Sequence, residues 1–128
     1  DYWPYATDQG AFGEKFNRLA KFVASSRLQE APWGSFSPAT VTSDPVATVR
    51  ELKRQSGKDI MLWGSLTLMQ AMFAADVVDE VYMRIVPVSL GTGTRLFADR
   101  RELHLLETKP FANGIVMQRY GVTRNREA

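Results

Sequence analysis

Apolar residues recur at helical spacing in two parts of the chain, and each part begins near a residue that can cap a helix. Phe12, Phe16 and Leu19 lie at positions i, i+4 and i+7, which is the spacing of one helix face. Thr7 or Asp8 stands where a capping residue is expected. The pattern therefore predicts a first helix that runs to about Leu19.

Two further helices are predicted from their starting residues. The Asp44 carboxylate can accept hydrogen bonds from free backbone N–H groups, and Pro45 suits the first helical position. Gly57 is expected to end this second helix, and Ser65 to cap a third helix that runs to about Ala75. The apolar stripe of the second helix consists of Val46, Val49 and Leu52.

Short apolar runs between and after these helices predict strands. Asp59–Trp63 is apolar after its first residue, which is typical of a buried strand. Gln29–Pro38 is rich in turn-forming residues and predicts a loop, whereas Asn113-Gly114 is a hairpin signal. The predicted strands are Lys21–Ser25, Ala39–Thr42, Asp59–Trp63, Val81–Val86, Leu103–Lys109 and Gly114–Val122.

The order of these elements indicates the fold class. Strands that alternate with helices predict an α/β fold with a largely parallel sheet and right-handed crossovers. The terminal hairpin makes the sheet mixed, with an antiparallel edge. A chain of 128 residues has the length of one domain.

Composition then excludes several kinds of chemistry. Hydrophobic residues make up 45% and charged residues 23%, which is ordinary for a chain with a packed core. The chain has no cysteine and one histidine, His104, so we expect no thiolate nucleophile and no metal site. His104 lies in the apolar run Leu-His-Leu-Leu, which favours a strand residue over a catalytic base.

Charge and hydropathy limit the partners. The formal net charge is +2, and no cluster of basic and aromatic residues points to nucleic acid. The most apolar window, Met61–Val78, is nearly long enough for a membrane helix, but polar residues and the Gly64-Ser65 turn interrupt it. We therefore expect no nucleic-acid or membrane partner. No export signal is visible and cysteine is absent, which predicts a cytoplasmic location.

In open α/β sheets, ligands bind beyond the carboxyl ends of the strands, so the residues that follow each strand are candidates. Ser25, Ser26 and Arg27 follow the first predicted strand. A guanidinium fork and two hydroxyls suit a phosphate, and an arginine here can accommodate the 2′-phosphate of NADP. The alternative is an ordinary polar turn, which the residues alone favour.

Two other strand ends carry glycines. Gly64 and Ser65 follow the apolar strand and precede a helix, whose start presents free N–H groups to an anion. These residues indicate a pyrophosphate-type site, and the alternative is a tight strand–helix turn with a serine cap. Gly91, Gly93 and Arg95 follow the next strand, where the arginine could meet an anion or a carboxylate. A flexible turn is the alternative there.

The strand at Val81–Val86 carries polar residues at alternate positions. Asp79 and Glu80 are adjacent, so their side chains point to opposite faces, which argues against a paired acid/base site. Arg84 shares one strand face with Tyr82, which makes Arg84 a candidate interface residue.

The central block GKDIMLWGSLTLMQAMFAADVVDEVYMRIVPVSLGTGTRLF, residues 57–97, resembles a known family almost continuously. It is similar to the dihydrofolate-reductase-like family that includes the C-terminal reductase domain of the bifunctional riboflavin-biosynthesis protein, the RibD C-terminal domain family. Upstream, KFVASSRL followed by Trp33 fits the family pattern, and GIVMQRY near the C-terminus looks like the family's last strand. The resemblance extends to about Val122.

This resemblance implies a dihydrofolate-reductase-like three-layer fold and an NADPH-dependent reductase. Its reaction would be hydride transfer to a small heterocyclic or ribosylamino substrate, as in a 5-amino-6-(5-phosphoribosylamino)uracil reductase. The family is often dimeric, so a homodimer is expected. The implied cofactor-binding residues are Ser25, Ser26 and Arg27 for the adenosine-side phosphate, Gly64, Ser65, Leu66 and Thr67 for the pyrophosphate, and Trp63 for the nicotinamide end.

One part of the family pattern has no match. Family members open with a strand that carries an S-L-D-G-like segment, then a helix and a strand with a G-R-x-T-like segment. The resemblance therefore implies that residues 1–128 form a single reductase-type domain that lacks this strand–helix–strand, since Tyr2-Trp3-Pro4 looks like the stretch that follows it. No catalytic residue can be assigned. The alternative is a non-catalytic dimerising or nucleotide-binding relative of the same fold.

Overall fold

The first unit of the fold reaches to Ser56 and the second begins at Gly57. The structure is a computed structural model that describes residues 3–6 and 8–124. In the first unit, a 3-10 turn at Trp3–Tyr5 precedes the first helix and three strands, and a second helix follows them. These elements are α1 (Gly10–Arg18), β1 (Phe22–Ala24), β2 (Ala31–Trp33), β3 (Phe36–Thr42) and α2 (Pro45–Arg54).

Strand β3 is the centre of the first sheet, whose strand order is β1-β3-β2. Strand β1 pairs with β3 in parallel, with Phe22 opposite Thr40, and β2 pairs with β3 antiparallel. The predicted loop at 29–38 is therefore wrong, because it contains β2 and the start of β3. Gly34 (φ +56°) forms the tight turn between β2 and β3, and Pro32 lies in the edge strand β2, where a proline costs no ladder hydrogen bond.

An aromatic cluster forms the interior of the first unit. The ring centroids of Trp3 and Phe16 lie 4.7 Å apart, and those of Phe16 and Trp33 lie 6.1 Å apart. Asn17 is the buried polar residue among them. Its amide donates to the Trp3 carbonyl (3.1 Å) and its Oδ1 accepts from the Trp33 indole N–H (2.7 Å), so no polar atom of this side chain is left unsatisfied.

Lys21 lies over one side of this cluster. Its Nζ is 5.1 Å from the Trp33 ring centroid and donates to the carbonyls of Asn17 (2.6 Å) and Leu19 (2.8 Å). Desolvation lowers the pKa of Lys21. The carbonyls at the end of α1 are thus satisfied by a cation, as the helix dipole favours.

Of the two capping residues predicted in the first unit, the one at the start of α2 is confirmed and the one at the start of α1 is not. Asp44 caps α2 as expected, since its Oδ1 accepts from the Ala47 N–H (3.0 Å); the helix ends at Arg54, before Gly57. The N-cap of α1 is Gln9, which makes no side-chain capping bond. Asp8 is therefore not the cap, and Thr7 lies outside the described residues.

The second unit contains α3 (Leu66–Ala74) and an antiparallel sheet of β4 (Glu80–Ile85), β5 (Leu103–Pro110) and β6 (Val116–Val122). The strand order is β4-β6-β5. Phe73, Val81 and Val122 form its buried core, and Phe97 packs on Phe73 with ring centroids 5.1 Å apart. Arg101 donates to the Phe73 carbonyl (2.7 Å), which satisfies a carbonyl at the C-terminus of α3.

The predicted C-terminal hairpin is confirmed. Gly114 has φ +85°, and the Asn113 side chain accepts from the Ile115 N–H (3.2 Å). The backbone N–H of Phe111 closes the turn on the Ile115 carbonyl (2.8 Å). Glycine tolerates the left-handed conformation that this turn requires.

The prediction of a buried strand at Asp59–Trp63 is wrong, since these residues form no strand in the described structure. The segment has no strand assignment, and Met61 is 75% exposed. A strand needs a neighbouring strand whose backbone groups can hydrogen-bond with its own, and no described strand pairs with this segment.

The prediction of a largely parallel sheet is also wrong. The β1–β3 pairing is parallel, and the other described pairings are antiparallel. The architecture is mixed α/β with two small sheets.

Within the described ranges, no helix has the length and apolar character needed to cross a membrane.

Candidate functional site

Ser25, Ser26 and Arg27 lie together at the carboxyl end of β1, in the first unit. The Ser25 N–H donates to the Thr42 carbonyl (3.0 Å), which extends the β1–β3 pairing by one residue. The Ser25 Oγ accepts from the backbone N–H groups of Arg27 (3.2 Å) and Leu28 (3.1 Å). This serine therefore builds a turn with its oxygen lone pairs, and its hydroxyl hydrogen remains available to a ligand.

The Arg27 side chain is exposed. Its guanidinium makes no hydrogen bond or ion pair within residues 3–6 and 8–124, so all five donors of its planar fork can meet an external anion. Ser26 is exposed beside it. The turn that Ser25 forms thus presents one cation and one further hydroxyl at the strand end.

The parallel pairing of β1 and β3 adds residues that the sequence alone did not single out. The two carboxyl ends adjoin, so Thr42 and the start of α2 lie next to Ser25. The Thr42 hydroxyl contacts the Thr48 hydroxyl (2.8 Å) and accepts from the Asp44 N–H (3.2 Å). The Asp44 carboxylate already occupies the first turn of α2. A phosphate here would consequently be held by Arg27 and hydroxyls rather than by that helix start.

Trp63, Gly64, Ser65, Leu66 and Thr67 lie together in the second unit, at the start of α3. Gly64 (φ +74°) and Ser65 (φ +52°) both adopt left-handed backbone conformations. A non-glycine residue rarely adopts such a conformation, and backbone strain of this kind is concentrated at ligand sites. The chain therefore makes an uncommon turn just where the helix begins.

This turn leaves backbone donors available at the helix start. The Ser65 Oγ accepts from the Leu68 N–H (3.1 Å), which caps α3 as the sequence predicted. The N–H groups of Leu66 and Thr67 have no hydrogen-bond partner in the described part of the chain, and the first turn of α3 carries no acidic residue. Free N–H groups and the positive end of the helix dipole are the chemistry that binds pyrophosphate.

Space is open on the outer side of this turn. A Cβ built on Gly64 would meet no atom within 4 Å, and Trp63 is 57% exposed. The indole can therefore offer part of its ring face to a flat ligand. The donor set of this segment is neutral and backbone-based, which fits a phosphate-bearing cofactor, and the tryptophan fits an aromatic ring.

Metal chemistry has no visible support in the residues that the structure describes. They contain no group of three or more His, Cys, Asp or Glu side chains placed to hold a metal ion. His104 lies on β5 with its Nδ1 3.5 Å from the Thr123 hydroxyl, and its ring contacts the backbone position of Gly121 on the neighbouring strand. This packing is that of a strand residue.

The fold is mixed α/β with two small sheets, and two of its segments present donors of the kind that phosphate oxygens accept. The family model "RibD C-terminal domain" matches residues 5–117, which is most of the chain. The chain belongs to the RibD C-terminal domain family.

Two proteins of Bacillus subtilis are similar to part of this chain. The chain is 39% identical over 71 residues to "Uncharacterized protein YyaP" of Bacillus subtilis (strain 168), covering 53% of this chain and 38% of that protein. It is 31% identical over 72 residues to "Uncharacterized protein YwjB" of the same organism, covering 54% and 41%. The matches thus span about two fifths of these relatives' own length.

The crystal structure of "Putative riboflavin biosynthesis protein" from Shewanella sp. PV-4 superposes with a TM-score of 0.67. The match covers 82% of this chain and 61% of that one, at 20% sequence identity. At that identity the similarity establishes a shared fold.

Proposed function

We propose that the protein is an NADPH-dependent reductase, with the start of α3 as a binding site for the cofactor's pyrophosphate. The observation that carries this proposal is the Gly64-Ser65 turn. Its two left-handed residues are followed by the N–H groups of Leu66 and Thr67, which have no partner among the described residues. Membership of the RibD C-terminal domain family supports the same cofactor class.

Arg27 is the residue proposed to select NADPH over NADH. Its guanidinium has no internal partner in the described residues and can bind the 2′-phosphate with charge-assisted hydrogen bonds. The hydroxyls of Ser25 and Ser26 add short donors at the same strand end. Trp63 would contact the nicotinamide end of the cofactor.

When bound, NADPH supplies the hydride, and this chain's residues hold its phosphates and orient its ring. The proposed substrate is a small heterocyclic or ribosylamino compound. No proton donor is assigned among the residues of this chain.

Calorimetric titration with NADPH and NADH tests the binding step separately from catalysis. We expect saturable NADPH binding and a weaker response to NADH. Absorbance of the reduced nicotinamide, followed with candidate substrates, then tests turnover. Tight NADPH binding without oxidation by any substrate of the proposed class would support the non-catalytic alternative. Absence of NADPH binding would refute the proposal for this chain.

A further inference from the structure

The turn between β5 and β6 requires a glycine at position 114 for two reasons. The backbone there is left-handed, with φ +85°, a conformation that disfavours a Cβ atom. A Cβ built on Gly114 would also lie 3.0 Å from the Cγ of Pro87. The turn therefore requires that a glycine follow Asn113. Of the three asparagines in the chain, only Asn113 precedes a glycine.

A glycine that follows an asparagine leaves the asparagine side chain open to attack by the backbone. The nitrogen of the following residue can reach the side-chain carbonyl carbon Cγ, and glycine has no side chain that hinders this approach. Asn113 and Gly114 are both exposed, so water has access to the reacting atoms. Asparagine is accordingly one of the thermolabile residues that proteins of hyperthermophiles use less.

We propose that Asn113 is a site of spontaneous deamidation in the folded protein. The Gly114 nitrogen forms a bond with Cγ of Asn113, its proton passes to the departing amide nitrogen, the Cγ–Nδ2 bond breaks and ammonia leaves. Water then opens the resulting cyclic imide. Opening between Cγ and the Gly114 nitrogen gives aspartate, and opening between the backbone carbonyl carbon and that nitrogen gives isoaspartate. The net reaction consumes one water, releases one ammonia and changes no oxidation state.

The turn slows this reaction because it holds both reacting groups. The Gly114 N–H donates to the Phe111 carbonyl (3.0 Å), and the Asn113 Oδ1 accepts from the Ile115 N–H (3.2 Å). The attack requires the Gly114 nitrogen to rotate toward Cγ, which breaks the first of these bonds. The loss of one such hydrogen bond changes an equilibrium about two- to tenfold. We therefore expect deamidation in the folded protein to be slower than in the unfolded chain by about this factor.

The two products fit the turn differently. An aspartate at position 113 keeps the backbone unchanged, and its carboxylate can accept from the Ile115 N–H as the amide oxygen does. Isoaspartate directs the backbone through the side chain and lengthens it by one atom. The hydrogen bond from the Phe111 N–H to the Ile115 carbonyl (2.8 Å), which closes the turn, then loses its geometry. The aspartate form should be as stable as the original protein, and the isoaspartate form less stable.

Incubation of the full protein at neutral pH in heavy-oxygen water, followed by tryptic peptide mapping, tests the proposal. The peptide of residues 102–119 contains Asn113. The peptide of residues 16–18 contains Asn17, whose buried amide is hydrogen-bonded at both ends and serves as the internal control. We expect labelled aspartate and isoaspartate at position 113, the latter identified with an isoaspartyl methyltransferase, and no label at Asn17. In denaturant, Asn113 should be converted about two- to tenfold faster.

Two variants complete the test. Asn113→Gln should abolish the label in the peptide of residues 102–119, because ring closure by the longer side chain is much slower. Asn113→Asp should keep the melting temperature of the wild type, whereas aged protein that contains isoaspartate should show a fraction that melts lower. The proposal would be overturned by an unlabelled Asn113 in folded protein after the unfolded chain has been converted, by equal rates in the two states, or by equal labelling of Asn17. Label that persists in the Asn113→Gln protein would likewise overturn the assignment to Asn113.

Discussion

Replacement of Arg27 by alanine should lower the affinity for NADPH and leave the affinity for NADH nearly unchanged. The guanidinium is exposed and has no internal partner in the described residues, so its removal breaks no contact that the fold needs. Hydrogen bonds to charged groups contribute about 1.5–3 kcal/mol, and solvent at an exposed site favours the lower value. At about 1.4 kcal/mol per tenfold change, the dissociation constant for NADPH should rise about tenfold.

The assay compares dissociation constants for NADPH and NADH by calorimetry, in wild type, Arg27→Ala and Arg27→Lys. Because NADH has no 2′-phosphate, its affinity should change little in Arg27→Ala, whereas Arg27→Lys should lie between wild type and alanine for NADPH. Arg18→Ala is the matched control, as Arg18 is an exposed arginine of the same unit. Equal loss of NADPH and NADH affinity in Arg27→Ala would refute the assigned role.

Three further substitutions test the geometry. Gly64→Ala should lower the free energy of unfolding by about 1–2 kcal/mol, because the left-handed φ of this position disfavours a Cβ. The substitution should also weaken the binding of NADPH and of NADH to the same extent. A calorimetric titration with the affinity of the wild type would contradict the pyrophosphate role. Asn17→Ala should lower the urea midpoint by an amount equivalent to about 1–3 kcal/mol, because the half-buried Trp33 N–H loses the Asn17 Oδ1 as its acceptor. Gly121→Ala should lower the melting temperature, because a Cβ there would overlap the His104 ring. The double variant Gly121→Ala with His104→Ala should recover part of that loss, and no recovery would locate the clash elsewhere.

Short sequence motifs predict those features of the fold that depend on interactions between residues close together in the chain. Asp44-Pro45 and Ser65 predict helix starts because capping depends on residues three positions away, and both caps are formed. Asn113-Gly114 predicts its hairpin for the same reason. The candidate phosphate segments at Ser25–Arg27 and Gly64–Thr67 were chosen because they follow apolar runs, and they occupy a strand end and a helix start in the structure.

Pairing between distant segments was not predictable in this way. Asp59–Trp63 has the composition of a buried strand, but strand formation requires a neighbouring ladder that composition does not encode. Pro32 and Gly34 predict a loop at Ala31–Trp33, although these residues form a short edge strand. The position of Thr42 beside Ser25 follows from the parallel β1–β3 register, which a single sequence does not specify.

The distribution of the three tryptophans gives each unit its own fluorescent reporter. Trp3 and Trp33 are half-buried in the aromatic cluster of the first unit, whereas Trp63 is exposed in the second. Emission from Trp63 should therefore lie at longer wavelength and be quenched readily by iodide. In the Trp63→Phe protein, tryptophan emission comes from the first unit alone. The difference between the emission of the wild type and that of this variant reports the second unit. Denaturation followed in both proteins would show whether the two units lose their structure in one cooperative step or in two.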